Sequence, residues 1–307
     1  MLSLNEALDD LAKLRIRTEV INVDFKLSPA EARACIDGFA SVMRAMVVPD
    51  WFAPNMIDLE LLRAITDIID SPYVNIDPGV RVMYFNALYY GLEESEGPGG
   101  DLAAKAYMKV LESVPAWLES TTEASSDGPT AALTSWTAII MHDYDLSWKF
   151  HCKSYQHIKS QGIDQIDATP AKNFSEESQR DILRYFYWHV MSVDVLFRLF
   201  YGKPTVVRWF SDNVRPPLIF SPDNMHPTAF NVMINIVWIR YTVLTVEIID
   251  YVDNRVQDKA DPSIAQKANE CCLRLEELMN EWRLDDLMDD QRTTEDQRCL
   301  IADHISK

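Results

Sequence analysis

The sequence predicts an all-α protein, built as a single domain of about ten packed helices over residues 1–307. Only nine glycines and fifteen prolines interrupt the chain, so few residues can break long segments. Apolar residues recur with the 3.6-residue period of helices, and no run shows the two-residue alternation of strands. Several helix starts carry a polar residue before Pro or acidic residues, which suits a first helical turn. Together these observations favour one layered helical core.

The predicted helices follow in order along the chain. Ser28-Pro29 begins the first well-marked helix, and Ser175 with two glutamates begins a later, very aromatic one. His226-Pro227 and Asp261-Pro262 begin two more. The other predicted helices rest on periodicity and cover residues 56–70, 79–93, 101–120 and 131–161. Loops are predicted at residues 94–100, 121–130 and 202–226.

Composition and charge exclude several classes of protein. The sequence is 48% hydrophobic and 25% charged, which is typical of soluble globular domains. No apolar run approaches the roughly 20 residues that span a bilayer, and Asp9 and Asp10 lie where a signal peptide would be basic and apolar. We therefore expect an intracellular protein without a membrane segment, in the cytoplasm, with the nucleus left open. The net charge of −18 opposes direct nucleic-acid binding.

The cysteines indicate reduced thiols. Five are present, scattered and without a Cys-x-x-Cys pair, so neither a disulfide framework nor a structural zinc site is predicted. A different acidic motif, Asp285 to Asp289 (DDLMD), matches the magnesium-binding motif of terpene synthases. Only 18 residues follow it, and no second motif accompanies it, so we favour a solvated acidic turn. We expect no metal and no cofactor.

Two stretches, residues 131–164 and 180–204, together resemble the middle homology region of fungal-specific transcription factors of the zinc binuclear cluster type. Residues 75–92 and 107–120 resemble the segments upstream of it, so the resemblance covers roughly residues 70–250. The positions that match the family pattern are Gly162, Arg184, Tyr187, Trp188, Asp194, Gly202 and Pro204. The resemblance implies an all-α scaffold and a module that modulates the activity of a regulator.

One departure from that family matters for function. The regulators begin with six cysteines that hold two zinc ions and continue with a basic stretch, and this sequence has neither. Modules without that half resemble the cofactor-free hetero-Diels–Alderases of fungal tropolone–sesquiterpenoid biosynthesis. Two functions therefore stay open. We favour a secondary-metabolite pericyclase that joins a polyene terpene to a quinone methide; the alternative is a ligand-sensing or regulatory module without DNA binding of its own.

The aromatic helix of residues 184–204 contains the first candidate site. Tyr185 and His189 share one stripe by their i, i+4 spacing, and Trp188 lies beside them. His189 either pairs with a backbone carbonyl or faces a ligand. Asp194 and Arg198 are also four apart, and we expect them to form a structural ion pair.

Two further clusters add candidates. In residues 141–151 (MHDYDLSWKFH), Tyr144, Trp148 and His151 share a stripe that is either core or an aromatic wall with a proton donor. The spacing from His142 matches no zinc motif. In residues 231–247, Asn235 and Arg240 lie on a very apolar helix, where they join a polar network or contact a ligand.

For the enzyme, we expect small apolar or aromatic substrates in a pocket between helices, with a homodimer left open. Hydrogen-bond donors or acids would assist the reaction. The candidates are His189, Tyr185, His142 and Tyr144. Stacking walls would come from Trp188, Trp148 and Trp238, an anion clamp from Arg240 and a further contact from Asn235.

Overall fold

The computed structural model describes residues 23–45, 56–97, 100–120, 124–207, 213–217, 229–255 and 262–306. These residues form eleven α-helices and one short 3-10 turn, with no strand among them, which confirms the all-α prediction. The helices are α1 Pro29–Ala45, α2 Leu59–Ile65, α3 Pro78–Glu96, α4 Asp101–Glu119, α5 Asp127–Ile140, α6 Tyr144–Ser160, α7 Phe174–Tyr201, α8 Ala229–Arg255, α9 Pro262–Trp282, α10 Leu284–Asp289 and α11 Glu295–Ser306. None of the described helices combines the length and apolarity needed to cross a membrane.

The predicted helix over residues 131–161 is wrong in one respect, because the chain breaks it into α5 and α6. His142 has a φ of 59°, a left-handed conformation that cannot continue a right-handed helix. Asp143 then caps α6, since its side chain accepts a hydrogen bond of 3.2 Å from the Leu146 amide. The His-rich cluster therefore lies at a junction between helices. A further difference is α10, a short helix that contains Asp285 to Asp289, where we expected a turn.

The chain divides into two compact units. The first unit contains Met1–Ala168 with Val206–Arg208, and the second contains Thr169–Thr205 with Trp209–Lys307. In the first unit α3 packs against α1, α4 and α5, and α5 packs against α6. In the second unit α7 packs on α8, α8 on α9, and α10 on α9 and α11.

The central helix of the first unit is α3, which is buried on every side from Val82 to Leu92. A helix that is apolar all round belongs inside a core and not at its surface. One buried polar group, Asn86, ties it to α5: its Nδ2 donates to Thr134 Oγ1 at 2.9 Å, and Thr137 Oγ1 lies 2.7 Å from its Oδ1. Because buried amides need partners, this network aligns α3 with α5.

The second unit is organised around α7. Asn173 caps its start by accepting from the Glu176 amide at 2.9 Å, and Gly202 ends it with a φ of 61°, a conformation that glycine adopts without strain. Arg184 is only 1% exposed and pairs with Glu177 at 3.0 Å and Asp181 at 3.4 Å. Such a buried cation requires these carboxylates.

The other charged pair that we expected in α7 differs in the structure. Arg198 forms its ion pair with Asp253 of α8, and not with Asp194 one turn away. Arg198 therefore joins α7 to α8, so it stabilises the packing between two helices instead of one helix alone.

Candidate functional site

The structure brings three of the predicted site residues together in the second unit. The rings of Tyr185 and His189 on α7 lie 6.0 Å and 6.2 Å from the indole of Trp238 on α8, measured between centroids. Burial raises the pKa of the Tyr185 phenol, so this hydroxyl keeps its proton in neutral solution. These three side chains form one aromatic cluster.

The other predicted residues of the second unit have different surroundings. Trp188 is buried, and its Nε1 donates to the Arg215 carbonyl oxygen at 3.1 Å. Arg240 is paired with Glu281 at 2.7 Å, with its side chain 46% exposed. Asn235 has a side chain that lies outside the described part of the structure.

The described residues leave a small cavity beside Trp238. An apolar cavity of about 30 Å³ adjoins this indole, between α8, α9 and α10. That volume holds about one water molecule, whereas ligand pockets usually measure about 300–1,000 Å³. Its lining consists of Val237, Trp238, Tyr241, Leu275, Leu278, Met279 and Leu284. The cavity is therefore a packing defect of the core and not a substrate pocket.

The predicted residues of the first unit lie on α6 and at its start. The exposed ring of His142 packs edge-on against Tyr144, with 6.1 Å between the centroids. One turn further along α6, Trp148 lies 5.5 Å from the buried ring of His151. The predicted helix over residues 131–161 would have placed these side chains on one continuous helix with α5. The break at His142 separates them from α5 instead.

The first unit also contains a much larger cavity, which we name the first-unit cleft. Its volume is about 430 Å³, within the range of small-molecule sites. Buried side chains form its floor, and charged side chains that reach water form its rim. The floor consists of Phe25, Thr66, Ile69, Tyr84, Phe85 and Leu88, and the charged residues are Asp24, Lys26, Asp70 and Lys109, with Val23 and Leu27 beside them.

The floor of the first-unit cleft is aromatic. Tyr84 and Phe85 meet edge-to-face with 5.3 Å between their centroids, and Phe25 meets Phe85 at 6.4 Å. Such edge-to-face contacts hold the rings in fixed orientations. The guanidinium carbon of Arg81 lies 5.5 Å from the Phe85 centroid, so a cation also packs over this ring.

Tyr84 is the distinctive polar group of the cleft. The residue is 3% exposed, and burial, followed by the nearby negative charge of Asp70, raises its pKa to about 12. The phenol therefore stays protonated in neutral solution. Its hydroxyl makes no hydrogen bond with any other residue that the structure describes, and its oxygen is not fully enclosed by those residues, so it faces the cleft. A bound molecule with an acceptor oxygen could therefore take the place of the water that such a hydroxyl otherwise contacts.

Several other polar groups of the cleft are already engaged within the protein. Lys109 pairs with Glu112 at 2.7 Å, and Asp70 lies 3.8 Å from the Arg81 guanidinium. The hydroxyl of Thr66 donates to the Arg63 carbonyl oxygen at 2.7 Å. These contacts leave few polar groups in the described lining for a ligand to bind. The remaining ones are Tyr84, Asp24 and Lys26.

Among the residues that the structure describes, no group of three or more His, Cys, Asp or Glu side chains could hold a metal ion. Comparisons of the chain with protein-family models, with curated proteins and with solved structures found no match.

Sequence reasoning missed the first-unit cleft. None of the nine residues predicted for the site belongs to its described lining. The cleft is assembled from residues 23–27, the turn after α2, one face of α3 and Lys109 of α4, and each segment is ordinary on its own. The one local signal was Phe25, an aromatic residue between Asp24 and Lys26 just before a helix start.

Proposed function

We propose that this chain is a ligand-sensing module that binds a small aromatic molecule in the first-unit cleft. The observation that carries the proposal is Tyr84, a largely buried phenol whose hydroxyl makes no hydrogen bond with the described residues and opens to a cleft of about 430 Å³. The resemblance of residues 70–250 to the middle homology region of fungal transcription factors supports the same function, because that region modulates regulators.

The chemistry of the cleft supports binding. Its aromatic floor offers Phe25, Tyr84 and Phe85 to a flat ligand. No histidine or cysteine occurs in its described lining. With a pKa of about 12, Tyr84 donates a hydrogen bond at neutral pH and does not transfer its proton readily. These features suit a protein that binds a ligand and releases it unchanged.

A second candidate function is the cofactor-free hetero-Diels–Alder cyclisation of a polyene terpene with a quinone methide. The Tyr84 hydroxyl, which makes no hydrogen bond with the described residues, specifically favours it. This cycloaddition requires two substrates held in reactive orientation and a donor at the oxygen that gains electron density. It needs no proton transfer from the protein, so a phenol with a raised pKa is suitable.

Ligand-observed NMR with neutral aromatic fragments, phenol and indole among them, tests binding in the cleft. The variant Tyr84→Phe removes the donor and keeps the ring, so affinity for oxygen-bearing fragments should fall severalfold. The matched control is Tyr89→Phe, on the same helix, whose hydroxyl is fully buried, has no partner among the described residues and does not line the cleft. Equal effects of the two variants, or no fragment binding, would contradict the proposal.

The two candidate functions differ in whether the protein releases its ligands joined in a product or unchanged. A polyene and a quinone methide precursor are incubated with the chain and followed by mass spectrometry. An enzyme yields an adduct whose mass is the sum of the polyene and the quinone methide, at a rate that falls in Tyr84→Phe. A sensor returns both molecules unchanged.

A further inference from the structure

We infer that the first-unit cleft selects aromatic zwitterions, molecules that carry an ammonium group and a carboxylate beside an aromatic ring. The inference rests on the proposed function, because it names the ligand class of the same cleft. Some charged side chains at the rim of the cleft are paired with other residues of the protein, and others are not, and this difference carries the inference.

Four charged side chains line the cleft, two of each sign. Lys109 is neutralised by Glu112 at 2.7 Å, and Asp70 has a looser pair with Arg81 at 3.8 Å. Asp24 and Lys26 form no hydrogen bond or ion pair with any residue in the described ranges. Asp24 attracts Lys105 only at longer range, and Lys105 is itself paired with Asp101 at 2.6 Å. The rim therefore offers one carboxylate and one ammonium that have no direct partner among the described residues.

The placement of these two charges follows from the segment that carries them. Burial alternates along residues 24–26, with Asp24 exposed, Phe25 buried and Lys26 exposed. The Phe25 ring is turned inward against Phe85, so the opposite charges flank the point where the aromatic floor begins. Both charged residues also belong to the lining of the cleft, so a ligand on the floor lies near a carboxylate and an ammonium.

Selection for both charges follows from simple electrostatics. A cationic ligand gains from Asp24 but is repelled by Lys26, and an anionic ligand meets the reverse. A zwitterion satisfies both charges, and its carboxylate can also accept from the Tyr84 hydroxyl in a charge-assisted hydrogen bond. The net charge of −18 adds a long-range field that opposes anions, which a ligand of zero net charge avoids.

Four probes that share one indole ring separate these contributions. Tryptophan carries both charges, tryptamine only the ammonium, indole-3-propionate only the carboxylate, and 3-methylindole neither. Titration calorimetry with the full chain should show tryptophan as the tightest ligand. Each rim charge is exposed, so its loss should weaken binding by about two- to fivefold.

Two variants then assign each charge to its partner. Asp24→Asn should weaken binding of tryptophan and tryptamine and leave indole-3-propionate unchanged or improved. Lys26→Met, which keeps the apolar stem, should weaken binding of tryptophan and indole-3-propionate and leave tryptamine unchanged or improved. The matched control is Glu94→Gln, an exposed carboxylate of α3 outside the cleft lining, which should change no affinity.

The outcomes separate the inference from the proposed function. If 3-methylindole binds as tightly as tryptophan, or if the variants affect all probes equally, the cleft binds aromatic rings without selecting zwitterions, and this inference falls while the proposed function stands. If no probe binds at all, and none of the neutral fragments does, both fall.

Discussion

The carbonyl oxygen of Cys35 in α1 lies where a side chain on Gly91 in α3 would begin. A Cβ built on Gly91 falls 1.9 Å from that oxygen, so the two helices meet backbone to backbone. This contact sets the distance between α1 and the central helix of the first unit, and it depends on the missing side chain of one residue.

Replacing Gly91 by Ala should therefore destabilise the first unit. The methyl group cannot be accommodated without moving α1, and overpacking of this kind costs about 1–3 kcal/mol or more. Urea denaturation followed by circular dichroism measures the loss. The control is Gly38→Ala in the facing helix, whose Cβ would lie 3.4 Å from Gly91 Cα, an ordinary contact. Equal losses in the two variants would contradict this explanation.

Tyr89 gives a prediction of opposite sign. Its hydroxyl is buried and has no partner among the described residues, and burial raises the pKa of the phenol to about 12. Tyr89→Phe removes this unsatisfied group and should raise the free energy of unfolding by about 1 kcal/mol. Thr134→Val removes a hydroxyl that bonds to Asn86, so it should lower the stability in the same measurement. A loss of stability in Tyr89→Phe would refute the assignment.

Replacing Arg184 should destabilise the second unit more than replacing an exposed charged residue. Arg184→Met leaves the carboxylates of Asp181 and Glu177 without their buried cation, and breaking such a pair costs about 3–5 kcal/mol. Arg240→Met breaks an exposed pair with Glu281 and should cost under about 1 kcal/mol. Thermal or urea denaturation of both variants compares the two, and a similar small effect would rule out the buried pair.

The left-handed conformation of His142, at the break between α5 and α6, gives a prediction about backbone strain. A non-glycine residue with a φ of 59° is strained, and His142→Gly should gain up to about 1 kcal/mol of stability. His142→Ala removes the same imidazole but keeps the strain, so it should show no such gain. If both variants have the same stability, the left-handed conformation at this residue carries no strain.

Asp290 provides the pH-dependent prediction. Hydrogen bonds from the Arg292 side chain, and then from its backbone amide, lower the pKa of the Asp290 carboxyl to about 2. An ordinary carboxyl titrates near 3.9, so the ionised form stabilises the native state above about pH 4, and this contribution is lost as the pH falls toward 2. Carbon-13 NMR should give a midpoint near 2, and Arg292→Gln should raise it. Arg283→Gln, which removes a neighbouring arginine paired with Asp286, should leave it unchanged.

Helix content was predictable from the sequence because breakers and apolar periodicity are local properties. The break at His142 was not predicted, since neither Gly nor Pro marks it. The capping residue Asp143 was the available signal. The partner of Arg198 could not be foreseen either, because Asp194 is close in sequence whereas Asp253 approaches only when α8 packs on α7.

The candidate site was less predictable than the fold. Sequence reasoning selected dense aromatic and histidine runs, and the structure does bring Tyr185, His189 and Trp238 together. Their adjoining cavity is nevertheless too small for a substrate. The first-unit cleft depends on residues as distant as Asp24 and Lys109, and no local pattern reports a cavity formed by tertiary packing.

The bond between Asn86 and Thr134 has a kinetic consequence. The α5–α6 hairpin closes through three residues, so its contacts are local and can form early, within the fast steps typical of short loops. The Asn86–Thr134 bond joins positions 48 residues apart and requires α3 to arrive in its final register. Docking of α3 is thus expected to be the slow, committing step, and mutations at Asn86 should slow overall folding while leaving the early collapse of the hairpin unchanged.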